Sequence, residues 1–312
     1  MTRILEIAGT PVRWTLLPAA ALERLETQWQ ESLARTSHDE VYRGYLDGHS
    51  FRIPESQTWA TSVAVAAIPC PPRVLPFLFE GRHQRIVLPT AYFRAPVSRQ
   101  AVGQSLEGLL NARVQEAPTL PYKRLAVYAG LGRYGRNSLV YVEDLGTAHI
   151  LAAFWTTAIS DGTELPPFQP EGLPQCERCR ACVQQCPTGA IPPAFGPIDV
   201  DRCVPLWNET DRDLPAGFPP GASNALVGCL ACQRPCPANG PYFASAAVLP
   251  ELSEEETRLV LQAEWQPALR EVLSRVLSYE DEDTLRAWAP VLRRNLTAFL
   301  RAGALPPSKP AH

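Results

Sequence analysis

The stretch Cys176–Pro187 reads CERCRACVQQCP and spaces its four cysteines as C-x2-C-x2-C-x3-C-P. Thiolates two residues apart can bind successive corners of one compact inorganic core, and this spacing is typical of cubic iron–sulfur clusters. Structural zinc is the alternative, but a tetrahedral zinc ion needs two C-x-x-C pairs and leaves the third cysteine of this run without a role. The spacing therefore predicts an iron–sulfur site.

A second cysteine run, shorter by one cysteine, follows downstream. It reads CLACQRPCP from Cys229 to Pro237, and Cys203 supplies the missing thiolate if the 25 residues between Cys203 and Cys229 form a loop. Eight cysteines suit two 4Fe-4S clusters, and in two-cluster ferredoxins the fourth cysteine of each run binds the other cluster. We therefore expect one cluster on Cys176, Cys179, Cys182 and Cys236, and the other on Cys203, Cys229, Cys232 and Cys186.

The ninth cysteine, Cys70, lies apart in the apolar segment AAIPCPP. A lone cysteine is usually a small buried hydrophobic residue, and a reactive or substrate-facing thiol is the alternative. The histidines are scattered, and we expect each to be an ordinary surface or core residue and not a metal ligand. They include His38, His49, His83 and His149.

The composition indicates a globular cytoplasmic protein. Its 312 residues are enough for two modest domains or for one domain with insertions, and a hydrophobic content of 46% is enough for a packed core. A net charge of -3 provides no basic field for DNA. No secretory signal is recognisable, and the longest apolar stretch, Ile150–Ile159, is about half the roughly 20 residues that span a bilayer. We expect neither DNA binding nor a membrane span, and a reducing compartment in which cysteines bind metal.

The heptapeptide AGLGRYG, Ala129–Gly135, fits the G-x-G-x-x-G pattern of a dinucleotide-binding turn. Such a turn must lead into a helix whose N-terminus holds the pyrophosphate. The following residues, NSLVYV, favour a strand instead, and no acidic residue stands at the expected strand end about 20 positions on. The pattern therefore argues against a Rossmann site, and the glycines must allow another close approach of the backbone.

Hydrophobic periodicity predicts further elements along the chain. Helices are expected over Pro18–Ser32 and over Ser98–Val114, the latter with an apolar stripe of Val102, Leu106, Leu109 and Leu110. Strands are expected over Ala60–Pro69 and Arg85–Pro89, and a hairpin over Asn137–Ala158 with its turn at Glu143–Gly146.

Three regions follow from these patterns. A proline-rich connector, Pro166–Pro174, separates an α/β domain at 1–165 from a cluster-binding domain at 166–245. A capping box of Ser253 and Glu256 begins a helical region at 246–312, whose helices extend to about Leu305. In the last helix Arg294 and Arg301 share a face, which is either solvated or in contact with phosphate.

Together these features resemble the epoxyqueuosine reductases, which are relatives of the respiratory reductive dehalogenases. The resemblance covers about Thr58–Gly240 and rests on the AGLG-x-x-G turn, the solitary Cys203 and the closing C-x2-C-x3-C-P run before asparagine, while LRRNL at 292–296 is similar to the family's last helix. It implies an α/β (α+β) fold, with a nitroreductase-like N-terminal domain that holds cobalamin, a ferredoxin-like domain with two 4Fe-4S clusters and a helical C-terminal tail.

The resemblance also implies a function. In the family the clusters reduce the corrinoid cobalt, which removes the epoxide oxygen of a tRNA base precursor. It implies an electron donor of ferredoxin or flavodoxin type and tRNA contacts through the C-terminal helices. The glycine segment is then expected to pack against the corrin, through Gly130, Leu131, Gly132, Tyr134, Gly135, Arg136 and Asn137.

This sequence departs from the family at the expected proton donor. Gln115 stands where the family has an aspartate, and an amide cannot donate a proton as an acid, so Glu116 beside it, another group or water must do so. The family's GLGWIGK is GLGRYGR here, and these departures leave open a diverged substrate. Two other functions also stay open: a two-cluster electron carrier that serves a partner enzyme, and a flavin-binding domain.

Overall fold

The computed structural model describes residues 2–34, 39–160, 172–210, 212–219, 221–239 and 245–303. The chain forms two compact units, one of residues 1–69 and 95–178 and the other of residues 70–94 and 179–312. This division differs from the predicted boundaries at 165 and 245, because the segment 70–94 and the C-terminal helices join the cysteine-rich segment in one unit. His38 and most of the predicted connector Pro166–Pro174 lie outside the described residues.

An antiparallel five-stranded sheet forms the centre of the first unit, in the order β1-β2-β3-β9-β6. Its strands are β1 (Arg3–Ile7), β2 (Thr10–Pro18), β3 (Ser62–Pro69), β6 (Val114–Glu116) and β9 (His149–Thr156). The predicted apolar strand is confirmed as β3, the central strand, in which the residues from Ser62 to Ile68 are all buried. Such a run of apolar residues suits a strand that is covered on both faces.

The described residues of the first unit also form four α-helices. They are α1 (Ala21–Ala34), α2 (Glu40–Asp47), α3 (Arg99–Leu110) and α4 (Tyr122–Tyr128). The predicted helix over Pro18–Ser32 is confirmed as α1. The helix predicted over Ser98–Val114 ends earlier, because Asn111 adopts a left-handed conformation with φ of 47°. Its predicted stripe is wrong at Leu109, which is 55% exposed.

The hairpin predicted over Asn137–Ala158 is wrong in its pairing. The turn at Glu143–Gly146 is present, but β8 (Val140–Val142) pairs with β7 (Gly132–Tyr134), while β9 joins the large sheet. A strand therefore follows the glycine turn, as the sequence predicted. Alternation along a strand shows which residues face the core, but it does not identify the neighbouring strand.

The second unit combines a small sheet with helices. The sheet order is β10-β4-β5, and its strands are β4 (Arg73–Phe79), β5 (Arg82–Leu88) and β10 (Ala247–Val248). The helices are α5 (Ala181–Gln185), α6 (Val204–Asn208), α7 (Glu254–Gln262), α8 (Pro267–Leu277) and α9 (Glu282–Arg301). Apolar side chains of β4, β5, α7, α8 and α9 pack together as its core, and Phe77, Ile86, Leu273 and Leu292 lie at its centre.

The C-terminal region begins at the capping box that the sequence predicts. The Ser253 hydroxyl accepts a hydrogen bond from the Glu256 backbone N–H at 3.2 Å, and the Glu256 carboxylate accepts one from the Ser253 N–H at 2.8 Å. Two backbone donors at the start of α7 are thereby satisfied. The last described helix ends at Arg301, and Leu305 lies outside the described residues.

Cys70 is a buried apolar residue, as the first of the two interpretations predicts. Its side chain is fully buried, and burial raises the pKa of its thiol to about 11. A thiol with so high a pKa is almost wholly protonated at neutral pH and is a poor nucleophile.

Within the described part of the chain, no helix combines the length and the apolar character needed to cross a membrane.

Acid should destabilise the protein partly through His149. Burial lowers the pKa of His149 from 6.5 to about 4, and its Nδ1 has no hydrogen-bond partner among the described residues. Since the unfolded chain binds a proton here that the folded chain does not, this contribution is present above pH 6.5 and is lost as the pH falls towards 4. We expect His149 to account for a loss of about 2 kcal/mol between about pH 7.5 and pH 5.

Urea unfolding of the wild-type protein and of His149→Gln at the two pH values measures this effect. The variant should lose about 2 kcal/mol less unfolding free energy than the wild type on acidification. Other titrating groups, and any clusters, are common to both proteins and cancel in the difference. Equal pH dependence in the two proteins would contradict the assignment to His149.

Candidate iron–sulfur site and glycine turn

Short turns and helix ends carry the eight predicted cluster cysteines. Cys176 lies in a single 3-10 turn, Cys182 lies in α5, Cys186 ends α5, Cys203 begins α6 and Cys232 lies in a turn. The other three, Cys179, Cys229 and Cys236, lie in irregular segments. All eight are half-buried, and none of the nine cysteines of the chain forms a disulfide. No disulfide therefore competes with metal binding at these positions.

No group of three cysteine, histidine, aspartate or glutamate side chains in the described ranges lies close enough to hold a single metal ion. A cubane is a larger body than an ion, and each of its four cysteines binds a different iron atom. Its ligands therefore surround a volume and do not converge on one point.

Three cysteines of the second predicted cluster are electrostatic neighbours. The pKa of the Cys229 thiol is raised, first by burial and then by the nearby Cys186. The pKa of Tyr92 is also raised, first by burial and then by Glu209, with further contributions from Cys203 and Cys229. Cys186 thus lies near Cys229, and both Cys203 and Cys229 lie near Tyr92, which fits the predicted crossing of Cys186 to the later run.

Hydrogen-bond donors point at two of these sulfur atoms. The Asn224 side-chain amide donates to Cys229 Sγ at 3.0 Å, and the Ala231 backbone N–H donates to the same atom at 3.5 Å. The Ala190 backbone N–H donates to Cys186 Sγ at 3.3 Å. Donors of this kind favour the thiolate, which is the form that binds iron.

Buried asparagines close the loop between Cys203 and Cys229. The Asn208 side chain donates to the Gly228 carbonyl at 2.7 Å and accepts from the Gly228 N–H at 3.0 Å. Asn295 of α9 donates to the carbonyl oxygens of Asn208 and Leu226, at 2.9 and 3.0 Å. The residue before Cys229 is thereby attached to the end of α6, as the predicted loop requires.

Gly228 meets two separate constraints at this point. Its φ is +71°, and a Cβ atom built on it would lie 2.2 Å from the Tyr92 ring. A residue other than glycine would be strained in this conformation and would displace the ring. The Tyr92 hydroxyl in turn donates to the Glu209 carboxylate.

Sequence reasoning missed Asn208 and Asn295, and it misjudged Arg294. A signal was present in α9, where Asn295 interrupts a buried apolar stripe beside Leu292 and Leu296. Arg294 was predicted to lie on a solvated or phosphate-contacting face. Its guanidinium instead donates to the carbonyl oxygens of Thr210, at 2.7 Å, and of Arg212, so Arg294 anchors the loop.

The glycine turn packs against its own hairpin. A Cβ atom on Gly132 would lie 2.7 Å from the Tyr141 carbonyl oxygen, and one on Gly135 would lie 2.4 Å from the Tyr141 ring. Both are closer than side-chain carbons approach in proteins, so β8 itself requires glycine at these positions. At Gly130 no atom lies within 4 Å of a Cβ position, but its φ of +71° is a conformation that glycine adopts more easily than other residues.

The same turn holds the segment that carries Cys176. The Tyr134 carbonyl accepts a hydrogen bond from the Leu173 N–H at 2.9 Å, and the buried Arg136 donates to the Cys176 carbonyl. Asn137 donates to the Tyr141 hydroxyl at 3.1 Å, and Leu131 is buried. Burial raises the pKa of Tyr134 to about 12. These residues have internal roles, and contact with a cofactor stays a prediction for all seven.

The two candidate acid positions lie on β6, at the edge of the five-stranded sheet. Neighbouring residues of a strand point to opposite faces, so Gln115 and Glu116 do not serve the same side. Gln115 is exposed, whereas Glu116 is half-buried and forms an ion pair with Arg99 at 3.8 Å. Tyr122 lies nearby, with a hydroxyl that has no hydrogen-bond partner among the described residues.

The cysteine-rich segment matches a known family model. Residues 175–239 match the 4Fe-4S double cluster binding domain, and this range contains all eight predicted ligands. The chain is thus an iron–sulfur protein of the double-cluster class, in which a mixed α/β unit precedes the cluster segment.

Relatives of known function extend this result. The chain is 34% identical over 168 residues to epoxyqueuosine reductase of Salmonella typhimurium, which covers 51% of this chain and 41% of the relative. It is 34% identical over 175 residues to that of Vibrio cholerae, covering 54% and 45%. The matched region therefore spans less than half the length of these relatives.

Solved structures share the fold. The epoxyqueuosine reductase structure from Bacillus subtilis matches with a TM-score of 0.60 and 20% identity, covering 93% of this chain and 77% of that chain. An epoxyqueuosine reductase with a tRNA-Tyr epoxyqueuosine-modified stem loop matches with a TM-score of 0.59 and 19% identity, covering 93% and 78%. The chain therefore resembles the epoxyqueuosine reductases in sequence over about half of its length, and it shares the mixed α/β fold of their solved structures.

Removal of one ligand should cost one cluster. After anaerobic reconstitution we expect about eight iron atoms per chain in the wild type and about four in Cys203→Ser, because the altered site no longer has four thiolates. Cys70→Ser is the matched control, since Cys70 is buried and is not one of the eight predicted ligands, and it should keep the full iron content. Iron analysis and electron paramagnetic resonance of the reduced proteins measure both.

Two results would refute this ligand set. One is zinc without iron in anaerobically prepared wild-type protein. The other is full iron and two cluster signals in Cys203→Ser.

Proposed function

We propose that the chain is an iron–sulfur oxidoreductase of the epoxyqueuosine reductase type, in which two 4Fe-4S clusters deliver electrons to a bound cobalamin. The observation that carries the proposal is the set of eight cysteines within the double-cluster segment 175–239, preceded by the glycine turn. A cytoplasmic, reducing environment suits this set, because its thiols must stay out of disulfides.

The residues present suit a cubane at the second of the two predicted sites. Cys186 lies near Cys229, and Cys203 and Cys229 both lie near Tyr92. Side-chain and backbone donors reach the sulfur atoms of Cys186 and Cys229, as expected where thiolates carry negative charge. We propose Cys176, Cys179, Cys182 and Cys236 for one cluster and Cys186, Cys203, Cys229 and Cys232 for the other.

Cobalamin is the second part of the proposal. When bound, a corrinoid supplies a cobalt centre that becomes a strong nucleophile on reduction, and low-potential clusters can supply its electrons singly. The residues proposed to hold it lie in the segment from Gly130 to Asn137. Gly130 is exposed, with a φ of +71°, and no atom lies within 4 Å of a Cβ position there, so a ligand can approach this residue, whereas Gly132 and Gly135 are already required by β8.

No acidic side chain stands at position 115, where the family has its proton donor. Gln115 can orient a water molecule by hydrogen bonding, but it cannot itself give up a proton. Glu116 points to the other face of β6, where it meets Arg99. We therefore propose that water held by Gln115 supplies the proton and that Glu116 has a structural role.

The partners proposed are a ferredoxin- or flavodoxin-type electron donor and tRNA. A related structure contains a tRNA stem loop, which makes RNA a reasonable substrate class here. On α9 the exposed Arg293 and Arg301 can contact phosphate, whereas Arg294 is engaged with the loop carbonyls. The substrate itself can differ from epoxyqueuosine, since the glycine turn and the acid position both depart from the family.

A second candidate function is electron transfer to a partner enzyme without a corrinoid. The observation that favours it is Gln115, which removes the acid that the family's chemistry uses. A carrier shows reducible clusters and no bound organic cofactor. A flavin-binding domain is distinguished by a yellow, fluorescent supernatant after denaturation.

Cobalamin binding is the direct test of the enzyme proposal. Hydroxocobalamin added anaerobically to the reconstituted protein should co-elute with it in gel filtration. Its cobalt absorption spectrum should then change when the clusters are reduced, because the clusters pass electrons to the metal. Cobalamin that elutes alone, with the same spectrum as in protein-free buffer, would favour the electron carrier.

An acid restored at position 115 should raise turnover. With cobalamin-loaded protein and an epoxyqueuosine-containing tRNA stem loop, Gln115→Asp should react about tenfold faster or more, since general acids contribute about a hundredfold or more to such steps. Glu116→Gln is the matched control on the opposite face of β6 and should keep its rate within about twofold, as removing a structural carboxylate leaves the proton source intact. A large loss in Glu116→Gln with no gain in Gln115→Asp would assign the proton to Glu116.

A further inference from the structure

Asn224 donates a side-chain hydrogen bond to the sulfur of the predicted cluster ligand Cys229. Among the described residues, this contact is shorter than the one between Thr188 and Cys186. The Asn224 Nδ2 lies 3.0 Å from Cys229 Sγ and 2.9 Å from the Ala222 carbonyl oxygen, while its Oδ1 accepts from the Leu230 N–H at 3.0 Å. A carbonyl can only accept and a backbone N–H can only donate. The two backbone partners therefore fix the orientation of the amide, with its NH2 group towards the sulfur.

The surroundings of Asn224 strengthen this contact. Ala222, Ser223 and Ala225 are buried, and the Ser223 hydroxyl has no hydrogen-bond partner among the described residues. Asn224 and Cys229 are themselves half-buried, and an N–H donor at such a site interacts with a charged sulfur more strongly than it does in water. A buried hydroxyl without a partner also fits a neighbouring acceptor such as an inorganic sulfide.

Hydrogen bonds to cluster sulfurs change the reduction potential. Reduction adds one negative charge to a 4Fe-4S cluster, and donors on its sulfur atoms stabilise the more negative form. The backbone donors, Ala231 and Ala190, cannot be removed by substitution of a side chain. Among the described side-chain donors to Cys186 and Cys229, Asn224 lies nearest to its sulfur atom, so substitution of Asn224 is the direct way to remove such a hydrogen bond.

We propose that Asn224 is a positioning residue that raises the reduction potential of the cluster bound by Cys186, Cys203, Cys229 and Cys232. The inference rests on the two clusters of the proposed function, and it is independent of the corrinoid and of the substrate. Thr188 contributes less to the same cluster, because its hydroxyl is 3.7 Å from Cys186 Sγ.

The test is a redox titration of the reconstituted protein, followed by electron paramagnetic resonance. Asn224→Leu removes the donor without adding charge, and Asn224→Asp keeps the acceptor for the Leu230 N–H while removing the donor. In both we expect about a tenfold lower equilibrium constant for one-electron reduction, or about 59 mV, at one cluster only. The other cluster in the same molecule is the internal control, and Thr188→Val should shift the same cluster by less.

The affected cluster is identified with Cys203→Ser, in which only the other cluster remains. Unchanged potentials in Asn224→Leu, with both cluster signals intact, would overturn the inference. So would a shift confined to the cluster that survives in Cys203→Ser, or a shift in Asn224→Asp alone, which would reflect added charge. A failure of cobalamin to bind leaves these measurements intact, so failure of the enzyme proposal is distinguishable from failure of this one.

Discussion

The two hydrogen bonds between the Asn208 side chain and the backbone of Gly228 are the contacts on which the later cluster site depends. They join Gly228, the last residue of the 25-residue segment between Cys203 and Cys229, to Asn208 near the start of that segment. Closing a loop of this length costs conformational entropy, so the closing contacts must be strong. Burial strengthens these contacts, because leaving a buried amide without a hydrogen-bond partner costs free energy. Asn295 of α9 adds donors to the carbonyl oxygens of Asn208 and Leu226.

This constraint gives the C-terminal helices a structural purpose. The helix α9 packs its leucines into the core of the second unit and turns Asn295 and Arg294 towards the loop carbonyls. The segment 70–94 takes part through Tyr92, whose ring lies against Gly228 and whose hydroxyl meets Glu209. The cysteine-rich segment has few regular elements of its own, and its geometry is held by these neighbours.

In the first unit the glycine turn also has a structural role. A motif that resembles a nucleotide-binding turn instead lets β7 approach β8, and Arg136 at its end reaches the carbonyl of Cys176. The same unit carries Gln115 and Glu116 on opposite faces of an edge strand. Gln115 and Glu116 therefore cannot replace each other as a proton source. In the proposed function, the face of β6 that the substrate contacts decides between them.

Sequence alone was informative wherever neighbouring residues determine the outcome. Cysteine spacing indicated the double-cluster segment, because the geometry of the ligands fixes that spacing. The Ser253–Glu256 pattern predicted the start of α7 through local hydrogen bonding. The apolar run predicted β3, because a strand covered on both faces is apolar throughout. The tertiary structure alone decided that β8 pairs with β7, that Leu109 is exposed and that Arg294 anchors a loop. These features depend on contacts between residues far apart in the chain, and the local preferences of a segment do not determine which distant residues it contacts.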